Sequence, residues 1–370
     1  MTVSDLLEFY STNSLSWEQL SKDTESEFMN LHYGLIHVGL PTIVNIEENK
    51  LPYIKEDAIP RNYVLCENGD VSFADASEDT SEVAKAIEFT GIGNEKVISG
   101  LHTIHGRDKQ KKTIVGFKGY LFSSEAFHKQ TRRIAQGSKV FSISPRNFSE
   151  IFVSIPSKEE QRKIAELLLL LDERIATQRR LIEDLEKLKS SIAHHLFQQS
   201  APIIPLGELA SVTNGNADVQ DAIENYEMGL YPFFDRSEQI KYLNKFYLDK
   251  VAIIYAGEGQ NFFPRYFEGK FALHQRCYAI YDFDERILPR YCYHYMQQLN
   301  CYFQKTAVGS TVASLRMNNF LNAPIKLPSI STQKNIMSVL DLIEDLVHVE
   351  QRLLSNYIHQ RQYLLCKLFI

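Results

Sequence analysis

Two stretches of this chain gather side chains that can hold a polyanion. Gly100-Leu-His-Thr-Ile-His-Gly-Arg107 leads into Lys109, Lys111 and Lys112. Gly269-Lys-Phe-Ala-Leu-His-Gln-Arg276 is similar and is reached from Arg265. Each brings histidine, arginine and small polar groups close to a turn: His102, His105 and Arg107 in the first, His274, Gln275 and Arg276 in the second. Arginine can bond guanine bidentately, glutamine can do so with adenine, and lysine can hold phosphates. A second matched pair is Gln136-Gly-Ser-Lys139 and Val308-Gly-Ser-Thr311. A Gly-Ser turn exposes backbone N–H groups that suit an anionic oxygen, which singles out Ser138, Lys139, Ser310 and Thr311. Arg132 and Arg133 add positive charge along one expected helix, and Gln260, Asn261 and Arg316 complete the candidate set for DNA contact. Any one of these residues is also what an ordinary solvated surface carries. The recurrence of the loops in two copies favours a functional reading, and their differing residues suggest two different targets.

Other chemistry finds little support. Phe89-Thr-Gly-Ile-Gly93 matches the FxGxG pattern of adenosylmethionine-dependent methyltransferases. That loop must open a helix and needs a separate (N/D)PP(Y/F) tetrapeptide. The tetrapeptide is absent and a strand-like run follows the glycines, so a plain turn is expected. There is no GxxxxGK(S/T) loop for a nucleoside triphosphate. Glu268-Gly-Lys270 with Asp249 upstream could imitate part of a nuclease site, but a surface hairpin turn explains it better. The histidines lack the HExxH spacing and a cysteine partner. The 5 cysteines are odd in number and irregularly spaced, which fits neither a disulfide framework nor a metal site and suits a reducing cytoplasm.

The candidate loops belong to a longer repeat. At an offset of 172 positions, His102 falls on His274, Gly137-Ser138 on Gly309-Ser310, Asn147-Phe148 on Asn319-Phe320, Gln161 on Gln333, and Leu196-Phe197 on Leu368-Phe369. Self-similarity at one period outranks any local motif. It implies two copies of one unit, a globular head followed by a helix, aligned over about a hundred positions without a gap. Four blocks follow: a head over 1–156, a long helix over 157–199, a second head over 200–328, and a second long helix over 329–370. In the first head, strands are expected at 71–74, 97–101 and 113–115 and a helix at 124–136. In the second, strands are expected at 251–255 and 271–280 and a helix at 289–305. Ser157 with Glu160 three positions on makes a capping box for the first long helix.

Both long helices carry an apolar seam. In the first it runs Ile164, Leu168, Leu171, Ile175, Ile182, Leu185, Ile192, Leu196. In the second it runs Ile336, Leu340, Ile343, Val347, Leu354, Tyr357, Leu364, Leu368. The skipped seam positions are polar in both copies, Gln178 and Lys189, then Glu350 and Arg361. Polar seam residues cost stability but fix register. The simplest arrangement packs the helices antiparallel with one head at each end. Self-dimerisation through the helices is the alternative.

Net charge is −6, unevenly spread. Residues 1–100 carry 6 basic and 18 acidic side chains, whereas residues 101–156 carry 10 basic and 3 acidic. A basic segment in an acidic chain suggests one face for a polyanion and another for a different partner. No apolar run approaches the ~18 residues of a membrane span, and the N-terminus does not read as a signal peptide. Two readings compete with a DNA reader. One is a fused methyltransferase or nuclease, and the other is a coiled-coil scaffold whose heads bind proteins.

The layout resembles the specificity subunit of type I restriction-modification enzymes over essentially the whole chain. The motifs that carry the resemblance are Ile155-Pro-Ser-Lys-Glu-Glu-Gln-Arg-Lys-Ile164 leading into Leu171-Asp172, and Leu327-Pro-Ser-Ile-Ser-Thr-Gln-Lys-Asn-Ile336 leading into Ile343-Glu344. Val97-Ile-Ser-Gly-Leu-His-Thr-Ile104 and Tyr231-Pro-Phe-Phe234 resemble stretches of its target recognition domains. The resemblance implies an α+β fold: two α/β target recognition domains in pseudo-two-fold repeat, joined by two long antiparallel coiled-coil helices. It implies a non-catalytic cytoplasmic subunit that reads a bipartite double-stranded DNA target. Two methyltransferase subunits, which bind S-adenosylmethionine, and two restriction subunits, which use ATP and Mg, are its expected partners. No cofactor is expected on this chain. The apolar end Leu364, Leu365, Leu368, Phe369, Ile370 departs from the first helix and needs covering, by the first helix and a methyltransferase.

Overall fold

The computed structural model describes all residues except Thr24, Glu25, Ser81, Ser310 and Ile370, and the side chain of Pro145. It divides into two compact units. The first comprises Met1–Arg179 with Leu353–Ile370, and the second comprises Arg180–Arg352. Each long helix, Lys158–Phe197 and Ile330–Lys367, therefore contributes one part to each unit.

The first unit is built on a five-stranded sheet in the order Glu8–Tyr10, Thr103–Arg107, Val71–Ala74, Ala86–Thr90, Ile43–Asn45. A smaller four-stranded sheet includes Phe28–Leu31 beside Lys96–Ser99. Phe73, Phe122, Phe127 and Phe148 meet behind the larger sheet, edge to face at 4.7–5.0 Å for the closest pairs, the arrangement ring quadrupoles prefer. The same core takes in Ala165 and Leu168 of the first long helix and Leu365 and Phe369 of the second. The apolar C-terminal end is thus covered within its own unit, with Phe369 against Phe117 at 5.7 Å. That corrects the expectation that a methyltransferase is needed there; Ile370 lies outside the described residues.

The second unit has a six-stranded sheet in the order Ser211–Asn214, Cys277–Tyr281, Leu248–Ala256, Arg265–Leu273, Tyr231–Phe234, Lys241–Leu243. Its first four strands match the first four of the other unit, all antiparallel. The pairing of Phe28–Leu31 along Lys96–Ser99 recurs where Phe233 and Phe234 pair in parallel with Ala272 and Leu273. The chief difference is that Arg265–Leu273 is one continuous strand. Its counterpart breaks into Ala86–Thr90 and Lys96–Ser99 around Gly91 and Gly93, whose φ values are 59° and 54°. Phe89-Thr-Gly-Ile-Gly93 is thus a turn between strands and opens no helix.

Three element expectations need correction. Thr113–Val115 forms no strand, because its backbone is spent on the helix joint described below. The run 271–280 is two strands broken at the turn 274–276. The helix 289–305 is a helix Pro289–Met296, a 3₁₀ turn, and a helix Asn300–Thr306. The expected helix 124–136 runs Glu125–Ile134 with Ser124 as its cap.

No predicted seam residue of the long helices is exposed: Leu171, Ile175, Ile182, Ile336 and Val347 are buried, and most of the others are half-buried. Leu168 and Leu340, 172 positions apart, are both fully buried. Ser157 and Glu160 close the capping box, Glu160 N–H donating to Ser157 Oγ at 3.3 Å and Ser157 N–H to Glu160 Oε2 at 3.1 Å. Within the first unit the two helical segments run antiparallel. Arg174 donates to the Tyr357 hydroxyl at 3.1 Å, and Arg361 holds Asp172.

Candidate nucleic-acid interface

A joint fixes each head to its helix. Gln161 and Gln333 are buried, and each side chain spends itself on backbone. Gln161 Oε1 accepts from Ile114 N–H at 2.9 Å, and its Nε2 donates to Lys112 O at 3.2 Å and Pro156 O at 2.9 Å. Gln333 Oε1 accepts from Leu288 N–H at 2.9 Å, and its Nε2 donates to Arg286 O at 2.8 Å and Pro328 O at 2.9 Å. The motif spacing quoted above marks this joint. The sequence singled out the glutamines only as repeat markers. The partners also show that the repeat is not gap-free, since Ile114 and Leu288 lie 174 apart while the glutamines lie 172 apart.

Tyrosines seal the same junctions. Tyr120 donates to Asp172 at 3.0 Å and Tyr293 to Glu344 at 3.0 Å. In the second unit Glu344 also meets Lys189 at 3.0 Å. Burial works against its charge, but Lys189, His294 and Arg290 hold the carboxyl below its usual range.

In the second unit the candidate residues collect at one end of the sheet. The loops 214–218, 235–240, 257–264 and 274–276, with residues 311–316, are tied together there. Gly257 N–H donates to Arg276 O at 2.8 Å, Gly259 N–H to Ala313 O at 3.1 Å, and Ala217 bridges His274. Gln260, Asn261, Gln275, Arg276, Thr311 and Arg316 are all exposed on these loops. Gln304 Nε2 bonds Gln260 O at 2.9 Å and Asn261 Oδ1 at 3.0 Å, which orients that loop. Ser310 lies outside the described residues. Glu258 and Arg236 stand in the same cluster and were not singled out in the sequence. Glu258 bonds both Arg236 and Arg276, and these guanidiniums, Arg276 foremost, hold its carboxyl below the usual range.

In the first unit the candidates separate into two groups. His102, in a turn with φ 54°, bonds Asp75 at 3.2 Å and lies against the Tyr33 ring at 5.2 Å. Gln136 bridges Ser142 as Val308 bridges Ser314. Ser138, Lys139 and Arg133 are exposed on that loop and the helix before it, and Arg132 pairs with Glu125. The other group lies beyond the far end of strand Thr103–Arg107, beside the helix joint. There Lys111 is exposed, Lys109 pairs with Glu8, and Lys112 donates to Asp5 O at 2.6 Å.

Four expected contacts are turned inward. His105 is 0 % exposed and bonds Asp70 at 2.8 Å, and His274 is 7 % exposed with Nδ1 accepting from Arg276 N–H at 3.2 Å. Arg107 gives its fork to Asp70 at 2.9 and 2.7 Å, with Glu67 and Leu65 O taking its other nitrogen protons. Arg265 donates to Ser237 O and lies over the Phe234 ring at 5.9 Å. His105 and Arg107 lie on a strand buried on both faces over residues 103–106, and His274 is buried in the turn that follows its strand; neither is visible in the order of residues alone.

Among the described residues no helix is long and apolar enough to cross a membrane. Two clusters have metal-ligand chemistry, Cys66–Asp70–His105 and His294–Asp341–Glu344. Arg107 in the first, and Arg290 and Lys189 in the second, already neutralise the carboxylates.

Comparison with known proteins fits this layout. The sequence profile of the type I restriction modification DNA specificity domain matches residues 3–187 and again 202–356. A stretch of 142 residues is 30 % identical to the type I restriction enzyme EcoDI specificity subunit of Escherichia coli, covering 38 % of this chain and 30 % of that protein. The crystal structure of the type I restriction-modification S subunit from M. genitalium superposes with a TM-score of 0.60 at 17 % identity, over 100 % of this chain and 95 % of that one. A chain from a structure concerned with complex assembly and conformational transition of the type I R-M system gives 0.56 at 15 % identity, over 99 % and 95 %. Those two likenesses speak to the fold. With the profile matched twice along most of its length, the chain belongs to the type I restriction-modification DNA specificity domain family.

Proposed function

We propose that this chain is the DNA-reading specificity subunit of a type I restriction-modification enzyme. Each head reads one half of a split, asymmetric double-stranded target, and the long helices hold the half-sites a fixed gap apart. The observation that carries this is the duplicated joint of Gln161 and Gln333. A spacing device requires each reader to be fixed rigidly to its spacer, and both heads are fixed by the same three bonds. Two weak readers so linked gain by effective concentration only when the geometry lets both engage.

The chain is non-catalytic in this reading. The candidate loops supply hydrogen-bonding groups and positive charge, and the chemistry belongs to partners. Two methyltransferase subunits would bring S-adenosylmethionine, and two restriction subunits would bring ATP and Mg. Two equivalent partners suit the repeat. Leu170 and Leu342, at matching helix positions, are 64 % and 71 % exposed, with Leu167 and Val339 exposed beside them. Exposed apolar side chains that recur in register are what a partner covers.

The test is to map methylated adenines in the DNA of a host expressing this chain with its cognate methyltransferase. A split motif with a fixed gap is the expected result. A folded complex that leaves no methylation, or marks a single unsplit motif, would overturn the reading.

A further inference from the structure

Three loops of the second unit bring two arginines onto one carboxylate. Arg236 follows strand Tyr231–Phe234, Glu258 follows strand Leu248–Ala256, and Arg276 closes the turn 274–276. Arg236 Nη1 donates to Glu258 Oε2 at 2.8 Å. Arg276 Nη1 donates to Oε1 at 2.7 Å and to Oε2 at 3.0 Å. The Glu258 side chain is 16 % exposed, while those of Arg236 and Arg276 are 55 % and 56 % exposed. The carboxylate is the fixed member. Glu258 bridges Ser314, and Leu315 N–H donates to Gly257 O at 2.7 Å. A Cβ on Gly257 would stand 2.5 Å from Arg276 O, so only glycine lets the two loops approach this closely.

Among the described residues, neither arginine spends its Nε–H or Nη2 on the protein. Each presents a free planar edge with two parallel donors, aimed by the bond on its third nitrogen. A solvent-exposed arginine ordinarily loses rotamer freedom when it is fixed. Here much of that ordering precedes binding. The carboxylate also decides between acceptors. A phosphate brought beside Glu258 would meet a like charge, whereas guanine O6 and N7 form a neutral acceptor pair that matches the free edge. In the first unit Arg107 has the opposite fate, with its whole fork consumed by Asp70 and its neighbours.

We infer that Arg236 and Arg276 read guanine in the major groove with Glu258 as their positioning residue, so that the half-site of the second unit contains one or two G·C pairs that they recognise. This rests on the DNA-reading function proposed above.

The test begins with the motif methylated by the unaltered complex. Target duplexes then carry 7-deazaguanine, which lacks N7, at each guanine of one half-site in turn, and affinity for the intact complex is measured. Loss of one good bidentate contact weakens binding about ten- to a hundredfold, and this is expected at one or two guanines of a single half-site. Arg276→Lys keeps the charge but not the planar edge, and Glu258→Gln keeps the size but not the charge. Both should relax the methylated motif at those same guanines and leave the other half-site and the gap unchanged. A split motif whose half-sites are both indifferent to 7-deazaguanine, or variants that keep full preference at every guanine, would overturn the guanine assignment while the DNA-reading function stood. Absence of any split motif would overturn both.

Discussion

Arg361 grips Asp172 through Nε and Nη2 in the first unit, and Lys189 holds Glu344 at 3.0 Å in the second. Asp172 and Glu344 are 172 positions apart, as are Lys189 and Arg361. One interaction is therefore used twice, with the two long helices exchanging the roles of acid and base. Both basic members are the polar interruptions of the apolar seam. They fix register by demanding a particular carboxylate opposite.

Arg361→Ala should lower the stability of the first unit. The pair is partly buried, between the ~0–1 kcal/mol of exposed pairs and the ~3–5 kcal/mol lost on breaking buried ones. A loss of about 1–2 kcal/mol is expected in denaturant unfolding. Asp172→Asn and Arg361→Gln combined should cost less than the sum of the single changes, since they share the interaction. Strict additivity would show that the pair contributes nothing.

Gln161→Ala and Gln333→Ala should each destabilise one unit and leave the other intact. Each change strands one backbone N–H and two carbonyls in a buried place, at about 1–3 kcal/mol per unsatisfied group. Limited proteolysis should cut near residues 112–116 in the first variant and near 286–290 in the second. Identical digestion patterns in the two variants would contradict independent joints.

The second unit should lose stability as pH falls below about 6.5 because of His294. Burial lowers its pKa despite its bond to Asp341 and the nearby Glu344, with Lys189 acting in the same direction as burial. Tyr293 and Arg290 also face this cluster. A histidine whose folded pKa lies below its unfolded value of 6.5 contributes stability above that pH. The contribution is lost as pH drops through the folded value. The stability of the native chain minus that of His294→Gln should shrink between pH 6.5 and 5. A constant difference would show that His294 does not titrate there.

Lys111→Ala and Lys139→Ala should leave folding unchanged, since both side chains are exposed. If they meet phosphates, each should reduce the slope of log affinity against log salt by about one and weaken all sequences alike. Arg107→Ala should instead act on folding, leaving Asp70 buried without its guanidinium.

The sequence revealed the long helices, their caps and the repeat, because these depend on local spacing. The seam from Ile164 to Leu196 and the Ser157–Glu160 box are visible in the order of residues alone. It also marked both Gly-Ser loops, which the structure closes by equivalent bridges. What it could not reveal was the inward or outward phase of single side chains. His105 and His102 are three residues apart, yet one is buried on a strand and the other exposed in a turn. Nor could spacing find Glu258 and Arg236, which meet Arg276 only through long-range strand pairing. The division into units was hidden for the same reason, since the long helices are continuous and only packing assigns their parts to different cores.

The gap between the half-sites reports directly on the spacing role of the long helices. Four residues, about one helical turn or ~6 Å at ~1.5 Å per residue, are inserted after Arg179 and after Arg352. These sites leave the Asp172–Arg361 and Lys189–Glu344 pairs and both glutamine joints within their own units. Methylated adenines are then mapped beside those of the unaltered chain. The same two half-sites are expected, with a gap longer by about one or two base pairs, at ~3.4 Å each. An unchanged gap, or altered half-sites, would contradict that spacing role.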